Sequence, residues 1–317
     1  MKVAFLIPYY GAFPNYFNLW LHSASNNPNF DFIFFSDIDC SSYAFPSNVQ
    51  VNPIPFDALK TKIQDKFDFE ICLDDPYKLC DFKPAYGYIF EEYLREYDLW
   101  GFIDIDLILG RIADFIPSET LQEFDIIGCH GHFTLFRNNE HVNNFFMTEP
   151  KSGEVGFDKA FSARHCFHFD ESGLIANASK YGLRVCDCGS YFDVMPNHYQ
   201  FLLMNGSKFH KCVVHYSNGV LHVYHDDEGN LVNHELLYVH FQKRDMQIAA
   251  GLNCKGDFLA VPNMFVPIRE EITITLIHKY NPTRIYWDWY KKRFRQIRTN
   301  IRNGAIKECL SKLLRKG

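Results

Sequence analysis

Two aspartates interrupt an otherwise apolar run, Leu99–Gly110 (LWGFIDIDLILG). Such a run is typical of a strand buried in a sheet, and side chains at positions i and i+2 of a strand point to the same side. Asp104 and Asp106 are therefore expected to emerge together where the strand leaves the sheet. Two carboxylates beside a core are costly unless a cation compensates them, and Mg²⁺ or Mn²⁺ holding phosphate oxygens would do so. The alternative is a pair of solvated strand-end acids.

Three further segments combine residue types that could act together with these aspartates. They are Tyr77–Gly87 (YKLCDFKPAYG), Phe167–Gly173 (FHFDESG) and Tyr238–Arg244 (YVHFQKR). Adjacent acids suit general acid–base chemistry, whereas histidine, lysine and arginine suit metal or phosphate binding. Each segment also has an ordinary structural explanation, as a helix cap, a satisfied core histidine or surface charge.

The elements that must position these residues alternate between strands and helices. Lys2–Pro8, Phe30–Ser36 and Val49–Ile54 are expected strands, with an amphipathic helix over Pro14–Ser25 and another from Pro55. This alternation predicts an α/β sheet built from parallel strands and crossover helices.

The segments around the aspartates are expected to continue this pattern. Helical spacing over Lys83–Tyr97, with Asp81 as a plausible N-cap, predicts a helix that leads into a strand at Leu99–Ile105. Phe124–Cys129 and His132–Phe136 are expected to be further strands.

The second half of the chain is richer in strands. Two β-rich runs within Cys212–Tyr224 flank Ser217-Asn218-Gly219, which is a strong hairpin signal. A second turn at Asp226–Asn230 leads toward a strand at Leu236–Phe241, and a helix is expected over Glu171–Tyr181.

Composition describes an ordinary globular chain of 317 residues, 47% hydrophobic and 22% charged. No apolar run approaches the length of a membrane span, and the first residues lack the features of a signal peptide. The ten cysteines form no C-x-x-C pair, so reduced thiols in the cytosol are expected.

Positive charge is concentrated at the end of the chain. Residues 284–317 hold 11 Lys+Arg and 2 Asp+Glu, a balance of +9, while the remainder carries 21 (32 − 11) against 36 (38 − 2), a balance of −15. Apolar residues at helical spacing predict a basic amphipathic helix over Arg284–Lys316 that lies on an anionic membrane surface. A helix packed on the body with a solvated basic face is the alternative. No nucleic-acid-binding motif accompanies the charge.

Taken in order, the motifs resemble nucleotide-sugar-dependent glycosyltransferases of the GT-A type, in particular bacterial capsule and surface-polysaccharide enzymes. The resemblance runs from about residue 2 to about residue 265. The matching motifs are P-Y-Y (Pro8, Tyr9, Tyr10), K-x-x-D-F-K-P, W-G-F-x-D-I-D-L, G-H-F-T-L-F-R-N, F-D-E and H-F-Q-K-R. It implies a Rossmann-like mixed sheet flanked by helices in a catalytic domain of residues 1–265. The donor half would be about 1–110 and the acceptor half about 111–265, with 266–317 as the basic membrane-associating tail.

The resemblance also implies a metal site and a general base. Asp106 would be the main ligand of Mn²⁺ or Mg²⁺, with Asp104 reaching the ribose or a metal-bound water and His240 as a third ligand. Asp170, with Glu171 second, would take the proton of the acceptor hydroxyl in an inverting transfer. The same pair could instead cap a helix, and the histidine and lysine near residue 240 also fit retaining families, so the stereochemistry stays open with inversion slightly favoured.

The nucleotide-sugar donor would contact residues in four parts of the chain. Lys243 and Arg244 would hold the diphosphate, Lys78 and Asp81 would contact the donor, and the base would lie near the P-Y-Y tyrosines with Asp37 bonding base or ribose. Lys83 has a phosphate or a carboxylate as an equally good partner. The implied acceptor is a saccharide or lipid-linked oligosaccharide, handled by a cytoplasmic enzyme peripheral to the inner face of the cell membrane.

Two other classes of protein were weighed against a glycosyltransferase. A nucleotidyltransferase would carry a basic Gly-rich loop after the first strand, where this chain has PYYGAFPNY without lysine or arginine. A non-catalytic carbohydrate-binding scaffold would explain the aromatic residues and the tail, but not two aspartates in a buried run.

Overall fold

Short apolar runs form the strands of three sheets in the computed structural model, which describes residues 1–302, with side chains through residue 298. The strands are β1 (Val3–Pro8), β2 (Phe30–Ser36), β3 (Val49–Pro53), β4 (Leu99–Ile103), β5 (Leu107–Leu109), β6 (Ile126–His130), β7 (Phe133–Arg137), β8 (Val185–Cys186), β9 (Tyr191–Asp193), β10 (Leu202–Asn205), β11 (Lys208–Ser217), β12 (Val220–Asp227), β13 (Asn230–Leu236), β14 (Tyr238–His240), β15 (Gln247–Ile248), β16 (Phe258–Val261) and β17 (Met264–Val266).

Most of the helices are short. They are α1 (Phe17–Ser25), α2 (Phe56–Gln64), α3 (Leu79–Phe82), α4 (Tyr86–Ile89), α5 (Ile112–Phe115), α6 (Ser118–Glu123), α7 (Glu140–Asn143), α8 (Phe157–Ser162), α9 (Gly173–Ala176), α10 (Ile274–Tyr280) and α11 (Trp287–Arg302).

The central sheet has the order β3-β2-β1-β4-β7-β6-β8. Strands β3, β2, β1 and β4 run parallel, and β7 lies antiparallel between β4 and β6. The expected α/β class is therefore confirmed, as a mixed sheet with helices on both faces. Because β1 and β4 are parallel neighbours, their carboxyl ends open at the same edge of the sheet, which is where open α/β sheets bind ligands.

Strand β1 shows how the core holds this edge rigid, because its side chains alternate between two apolar layers. Val3, Phe5 and Ile7 face one layer with α1, whereas Ala4 and Leu6 face the other. Burying one large apolar side chain contributes about 1.5–3 kcal/mol, so a strand buried on both faces is held firmly.

The strand expected over Leu99–Ile105 is shorter than the sequence indicated. It ends at Ile103, and the chain bends through residues 104–106 before β5 begins in a different sheet. The Asp104 N–H donates to the His132 carbonyl at 3.0 Å, and the Asp106 carbonyl accepts from the Phe241 N–H at 2.8 Å. Strand alternation therefore does not explain why the two carboxylates face one cleft. The bend at residues 104–106 explains it, because the chain passes there from the central sheet to the small sheet β5-β14-β9.

Two expected helices are wrong in detail. Lys83–Tyr97 forms only short turns of helix, and Gly87 lies against the Trp100 indole, where a Cβ would come within 2.3 Å of the ring. The helix expected from Glu171 begins at Gly173 with Ser172 as its N-cap residue, so the acids at 170 and 171 precede the cap instead of forming it.

The third sheet contains the hairpin that the sequence predicted. Strands β11 and β12 pair in register around Asn218 and Gly219, whose φ values of +50° and +83° match the left-handed geometry of a tight hairpin turn. Helix α10 packs on this sheet through Leu276 and Ile277. The chain thus stays on the body well beyond residue 266, and Tyr286 is still buried.

The basic tail forms helix α11. The described part of this helix carries much of the exposed aromatic surface of the protein. The expected continuation to Lys316, including the apolar positions at 306, 310, 313 and 314, lies outside the described residues. Within residues 1–302, none of the helices is both long and apolar enough to span a bilayer.

We expect Gly101→Ala to destabilise the protein by about 1–3 kcal/mol, because overpacking a tight sheet forces the backbone apart. A Cβ at Gly101 would lie 2.3 Å from the Thr134 carbonyl oxygen on the neighbouring strand β7. Urea unfolding measures the effect. Gly256→Ala is the matched control, since its Cβ would meet only the Asn253 side chain, at 3.2 Å or more. Equal stability of both variants would contradict the strand register given above.

Candidate functional site

A cleft of about 1020 Å³ opens at the carboxyl ends of β1 and β4. Its walls come from the P-Y-Y segment after β1, the bend between β4 and β5, the 168–171 segment and the loop after β14. It brings together most of the residues singled out from the sequence, namely Pro8, Tyr9, Tyr10, Asp104, Asp106, Asp170, Glu171, His240, Lys243 and Arg244.

Asp106 anchors the floor of this cleft. Its Oδ1 lies 3.3 Å from His240 Nε2, and its Oδ2 accepts a hydrogen bond from the Lys243 backbone N–H at 2.6 Å. Burial by itself would raise the pKa of Asp106, but the bonds from His240 and Lys243 outweigh it and hold that pKa at about 2. Asp106 is therefore a buried carboxylate that keeps its charge.

His240 is held between two carboxylates. Its Nδ1 lies 3.0 Å from Asp193 Oδ1, and the Gln242 side-chain amide donates to both oxygens of Asp193. Burial disfavours the charged imidazole, yet the hydrogen bonds to Asp106 and Asp193 outweigh it and raise the pKa of His240 to about 10. The contact with Asp193 thus fixes the orientation of the His240 ring, with Nε2 directed at Asp106.

The donor atoms present fit a divalent cation. Ligand atoms of Asp104, Asp106 and His240 all lie within 4.8 Å of one another, and His132, Asp193 and His240 form a second such group. Two carboxylates with one imidazole suit Mn²⁺ and similar first-row ions. A carboxylate on the far nitrogen of a histidine is also the usual support of a metal-binding imidazole.

Lys83 joins the first aspartate to the candidate base. Its Nζ donates to Asp104 Oδ1 at 2.7 Å and to the Gly131 carbonyl at 2.5 Å, and lies 3.4 Å from Asp170 Oδ2. Of the two partners left open for Lys83, the structure shows the carboxylate. Burial alone would lower the pKa of Lys83, but the two carboxylates raise it, so the amine stays charged.

Asp170 has the environment of a proton acceptor. The residue is only 4% exposed, and its Oδ1 has no hydrogen-bond partner among the described residues. Burial raises the pKa of Asp170 to about 7, with Asp104 and Glu171 adding to the rise and Lys83 opposing it. Gly131 allows this approach, because a Cβ there would lie 2.7 Å from Glu171 Oε2 and 3.0 Å from Asp170 Oδ2.

Lys78 and Asp81, predicted to contact a donor, do not line the cleft. Both side chains are buried and pair with each other at 2.6 Å, outside the lining of the cleft. Lys78 Nζ also donates to the carbonyls of Ala160 and His165, while Asp81 accepts the N–H groups of Phe167 and Phe169. The pair therefore fixes the backbone that carries Asp170. Asp81 lies within α3 and does not cap it.

Arg244, predicted to hold a diphosphate, lines the cleft but spends most of its donors on backbone carbonyls. Arg244 is 5% exposed, and its guanidinium donates to the carbonyls of Met195, His198 and Tyr199 at 2.5–2.8 Å. These bonds use the guanidinium to hold the 195–199 segment, because the carbonyls of that irregular segment need donors.

Lys243 remains available at the mouth of the cleft. Its amine lies 4.1 Å from the centre of the exposed Tyr77 ring. Gln242 and Lys243 both adopt left-handed backbone geometry, with φ of +54° and +55°. Two successive non-glycine residues in that region are strained, which is typical of functional loops. The strained turn is what aims the Lys243 N–H at Asp106.

The residues expected near a base divide into two groups. Tyr9 and Tyr10 line the cleft, with their hydroxyls donating to the Ala12 and Ile54 carbonyls. Asp37 is exposed beyond β2, outside the cleft lining, and its carboxylate lies 3.4 Å from the Phe56 N–H. Its predicted bond to base or ribose is therefore not supported by this geometry.

Sequence reasoning missed Asp193 and Gln242 and left His132 without a role. Asp193 enters the site because β9 pairs in parallel with β14, which places it opposite His240. The His132 ring lies 4.4 Å from that of His240, and burial, followed by the charge of His240, lowers the pKa of His132 to about 3. The Nδ1 of His132 is buried without a hydrogen-bond partner among the described atoms. A neutral His132 ring therefore lies beside His240. No local pattern marks these residues.

The model of a family of unknown function (DUF6625) matches residues 5–269, which is most of the chain, so the protein belongs to that family. The match covers the cleft and all the elements that build it. No curated protein matches this sequence.

We expect Asp170→Asn to stabilise the metal-free protein increasingly as pH rises from about 4 to about 7, and by a constant amount above that. The folded pKa of about 7 exceeds the ordinary value of 3.8, so the native state holds a proton that the unfolded chain releases in this window. Wild-type stability therefore falls there by up to about 1.4 kcal/mol per pH unit relative to the asparagine variant. Urea unfolding in EDTA at several pH values measures the difference.

The control is Asp68→Asn, at an exposed position outside the cleft lining. Its stability relative to wild type should change little over the same pH range. A pH-independent difference for Asp170→Asn would contradict the buried, proton-holding carboxyl described here.

Proposed function

We propose that this member of the DUF6625 family is a metal-dependent glycosyltransferase of the GT-A type. It would transfer a sugar from a nucleotide diphosphate sugar to a saccharide or lipid-linked oligosaccharide of a surface polysaccharide. One observation supports this most. A single cleft at the carboxyl ends of parallel strands holds a converging Asp104, Asp106 and His240 set beside a buried carboxyl, Asp170, whose pKa lies near 7.

The donor half of the cleft suits a nucleotide diphosphate. A divalent cation bound by Asp104, Asp106 and His240 would offset the charge that develops on the leaving diphosphate. Lys243 lies at the same end of the cleft with an amine that no carboxylate engages among the described residues. Tyr9 and Tyr10 supply aromatic surface on the wall that follows β1.

The proposed transfer forms one bond and breaks one. The acceptor hydroxyl oxygen bonds to the anomeric carbon, the bond from that carbon to the phosphate oxygen breaks, and the nucleotide diphosphate leaves with the electron pair. The hydroxyl proton passes to Asp170, whose unpartnered Oδ1 can accept it. A base with a pKa near the working pH is well matched to this task, and the geometry favours the inverting course.

Lys83 lies between Asp170, the proposed base, and Asp104. By bonding Asp104 and lying against Asp170, it separates two carboxylates that would otherwise repel each other. The Asp81 carboxylate, paired with Lys78, accepts backbone N–H groups of the 167–169 segment. These bonds hold in place the segment that leads into Asp170, the proposed base.

The proposed location is cytoplasmic, on the inner face of the cell membrane, where a lipid-linked acceptor resides. The basic, aromatic helix α11 supports this location, whereas a nucleic-acid partner has no supporting motif.

We expect UDP or GDP to raise the unfolding temperature of the wild-type protein only when Mn²⁺ is present. Ligand at 100 times its dissociation constant adds about 2.7 kcal/mol to the free energy of unfolding. Asp106→Asn should lose this stabilisation, because it removes the charge of the main ligand. Asp37→Asn, at an exposed position outside the cleft, should keep it. Stabilisation that survives in Asp106→Asn would refute the metal assignment, and none with any nucleotide would favour the saccharide-binding scaffold.

We expect Asp170→Asn to separate binding from chemistry. It should keep the Mn²⁺-dependent stabilisation by nucleotide but lower hydrolysis or transfer of the matching nucleotide sugar by at least about 100-fold, since general-base catalysis contributes that much. A panel of nucleotide sugars assayed for Mn²⁺-dependent hydrolysis supplies the substrate. Full activity in this variant would reassign the base or point to a retaining course.

A further inference from the structure

Helix α11 exposes a stripe of aromatic side chains. Trp287, Tyr290 and Phe294 are 62%, 43% and 69% exposed. Their spacing of three and four residues places them on one face of the helix. Large aromatic side chains in a row are costly to leave in water, so this stripe (Trp287, Tyr290 and Phe294) marks an interaction surface.

Cations border the stripe on both sides. Lys291 and Arg298 lie along one edge and Arg293 along the other, all of them exposed. Residues 284–298 hold six Lys+Arg and one Asp, a balance of +5, on a chain whose net charge is −6. An apolar stripe bordered by cations is complementary to an anionic lipid surface, into which aromatic rings insert while lysine and arginine contact headgroups. Pairing α11 with α11 of a second copy would bring like charges together.

The opposite face of α11 is tied to the loop that serves Asp106. Lys292 Nζ lies 2.8 Å from Asp245 Oδ2 and 3.3 Å from the Lys243 carbonyl oxygen. Where the chain enters the helix, the Tyr286 ring stacks 4.9 Å from the Arg244 guanidinium. Three successive residues of the loop, 243–245, therefore contact α11 or the residue before it.

That loop is strained and supplies polar contacts in the cleft. The left-handed backbone at Gln242 and Lys243 aims the Lys243 N–H at Asp106 Oδ2, 2.6 Å away. A strained turn persists only when surrounding contacts over-determine it. The α11 contacts are among those that hold this one, and the Lys292 contacts with Lys243 and Asp245 are partly open to solvent.

We propose that an anionic membrane binds the aromatic stripe of α11, and that this binding, acting through Lys292, holds residues 242–246 in the conformation that presents the Lys243 N–H to Asp106. Fixing the helix in the bilayer surface removes the freedom that would let Lys292 leave the loop. The cleft mouth is then kept beside the membrane. On the proposed function, an acceptor carried in the lipid layer meets a cation site whose loop the membrane helps to hold.

The coupling must be reciprocal, since linkage between two binding events acts equally in both directions. Ordering the loop from the cleft side, with Mn²⁺, should strengthen vesicle binding by the same factor as vesicles strengthen Mn²⁺ binding.

The experiment uses the full chain, free of metal, with vesicles of phosphatidylglycerol and phosphatidylcholine. Wild-type protein should sediment with these vesicles and not with phosphatidylcholine alone. The double variant Trp287→Ser/Phe294→Ser should lose at least about tenfold in affinity, because it removes most of the inserted area. Absence of binding to anionic vesicles, unchanged binding of the double variant, or preferential binding of duplex DNA would overturn the membrane as occupant.

A matched pair of lysine variants tests the coupling. Lys291→Met and Lys292→Met remove the same charge from the same helix, but the ion pair of Lys291 within the described residues is with Asp288 of its own turn. Lys291→Met, at the edge of the stripe, should weaken vesicle affinity by about fivefold, and Lys292→Met, on the opposite face, by less. Amide hydrogen exchange across residues 242–246 should slow at least about threefold on vesicle binding in wild type and Lys291→Met, and not in Lys292→Met. Equal slowing in both variants, or none in wild type, would overturn the coupling.

These readouts need neither metal nor nucleotide. If the Mn²⁺–nucleotide stabilisation fails while the exchange pattern holds, the proposed function is wrong and the membrane-coupled loop stands. The reverse result would leave the glycosyltransferase assignment in place without this device.

Discussion

Buried carboxylates at the break between β4 and β5 set the main constraint on this structure. A charge taken out of water is tolerated only if partners replace its hydration. Asp106 obtains those partners from His240 and the Lys243 N–H, and Asp104 obtains one from Lys83. These partners lie up to 137 residues from their aspartate in sequence. Folding the second half of the chain onto the first is thus a requirement of the aspartate pair as well as of the apolar core.

The same constraint leaves the site short of positive charge. Asp104, Asp106 and Asp193 face the positive charges of Lys83, His240 and Lys243, and Asp170 adds a further negative charge whenever it loses its proton. The proton held by His240 occupies the space between two carboxylates, where the ligand atoms also converge for a cation. A cleft of this kind attracts a divalent ion and, through it, an anionic ligand, which is the physical basis of the glycosyltransferase proposal.

Support for the cleft is built from residues that could themselves have been mistaken for ligands. Lys78, Asp81 and Arg244 are all charged and buried, and each makes most of its hydrogen bonds to backbone groups. Segments without regular structure cannot satisfy their own carbonyl and N–H groups, so buried charged side chains satisfy them. Their position next to functional residues follows from that need, because the irregular segments are the ones that carry the functional residues.

The sequence by itself determined the strands β1 and β2, the hairpin at Asn218-Gly219 and the residue types of the chemistry, Asp104, Asp106, Asp170 and His240. These follow from apolar periodicity, turn geometry and the cost of burying charge, which are local properties. Only the tertiary structure decided that residues 104–106 bend between two sheets, that Asp193 supports His240, and that Lys78, Asp81 and Arg244 bind backbone groups. Those outcomes depend on which distant carbonyl or carboxylate meets each charged side chain once water is excluded, and sequence spacing does not record such meetings.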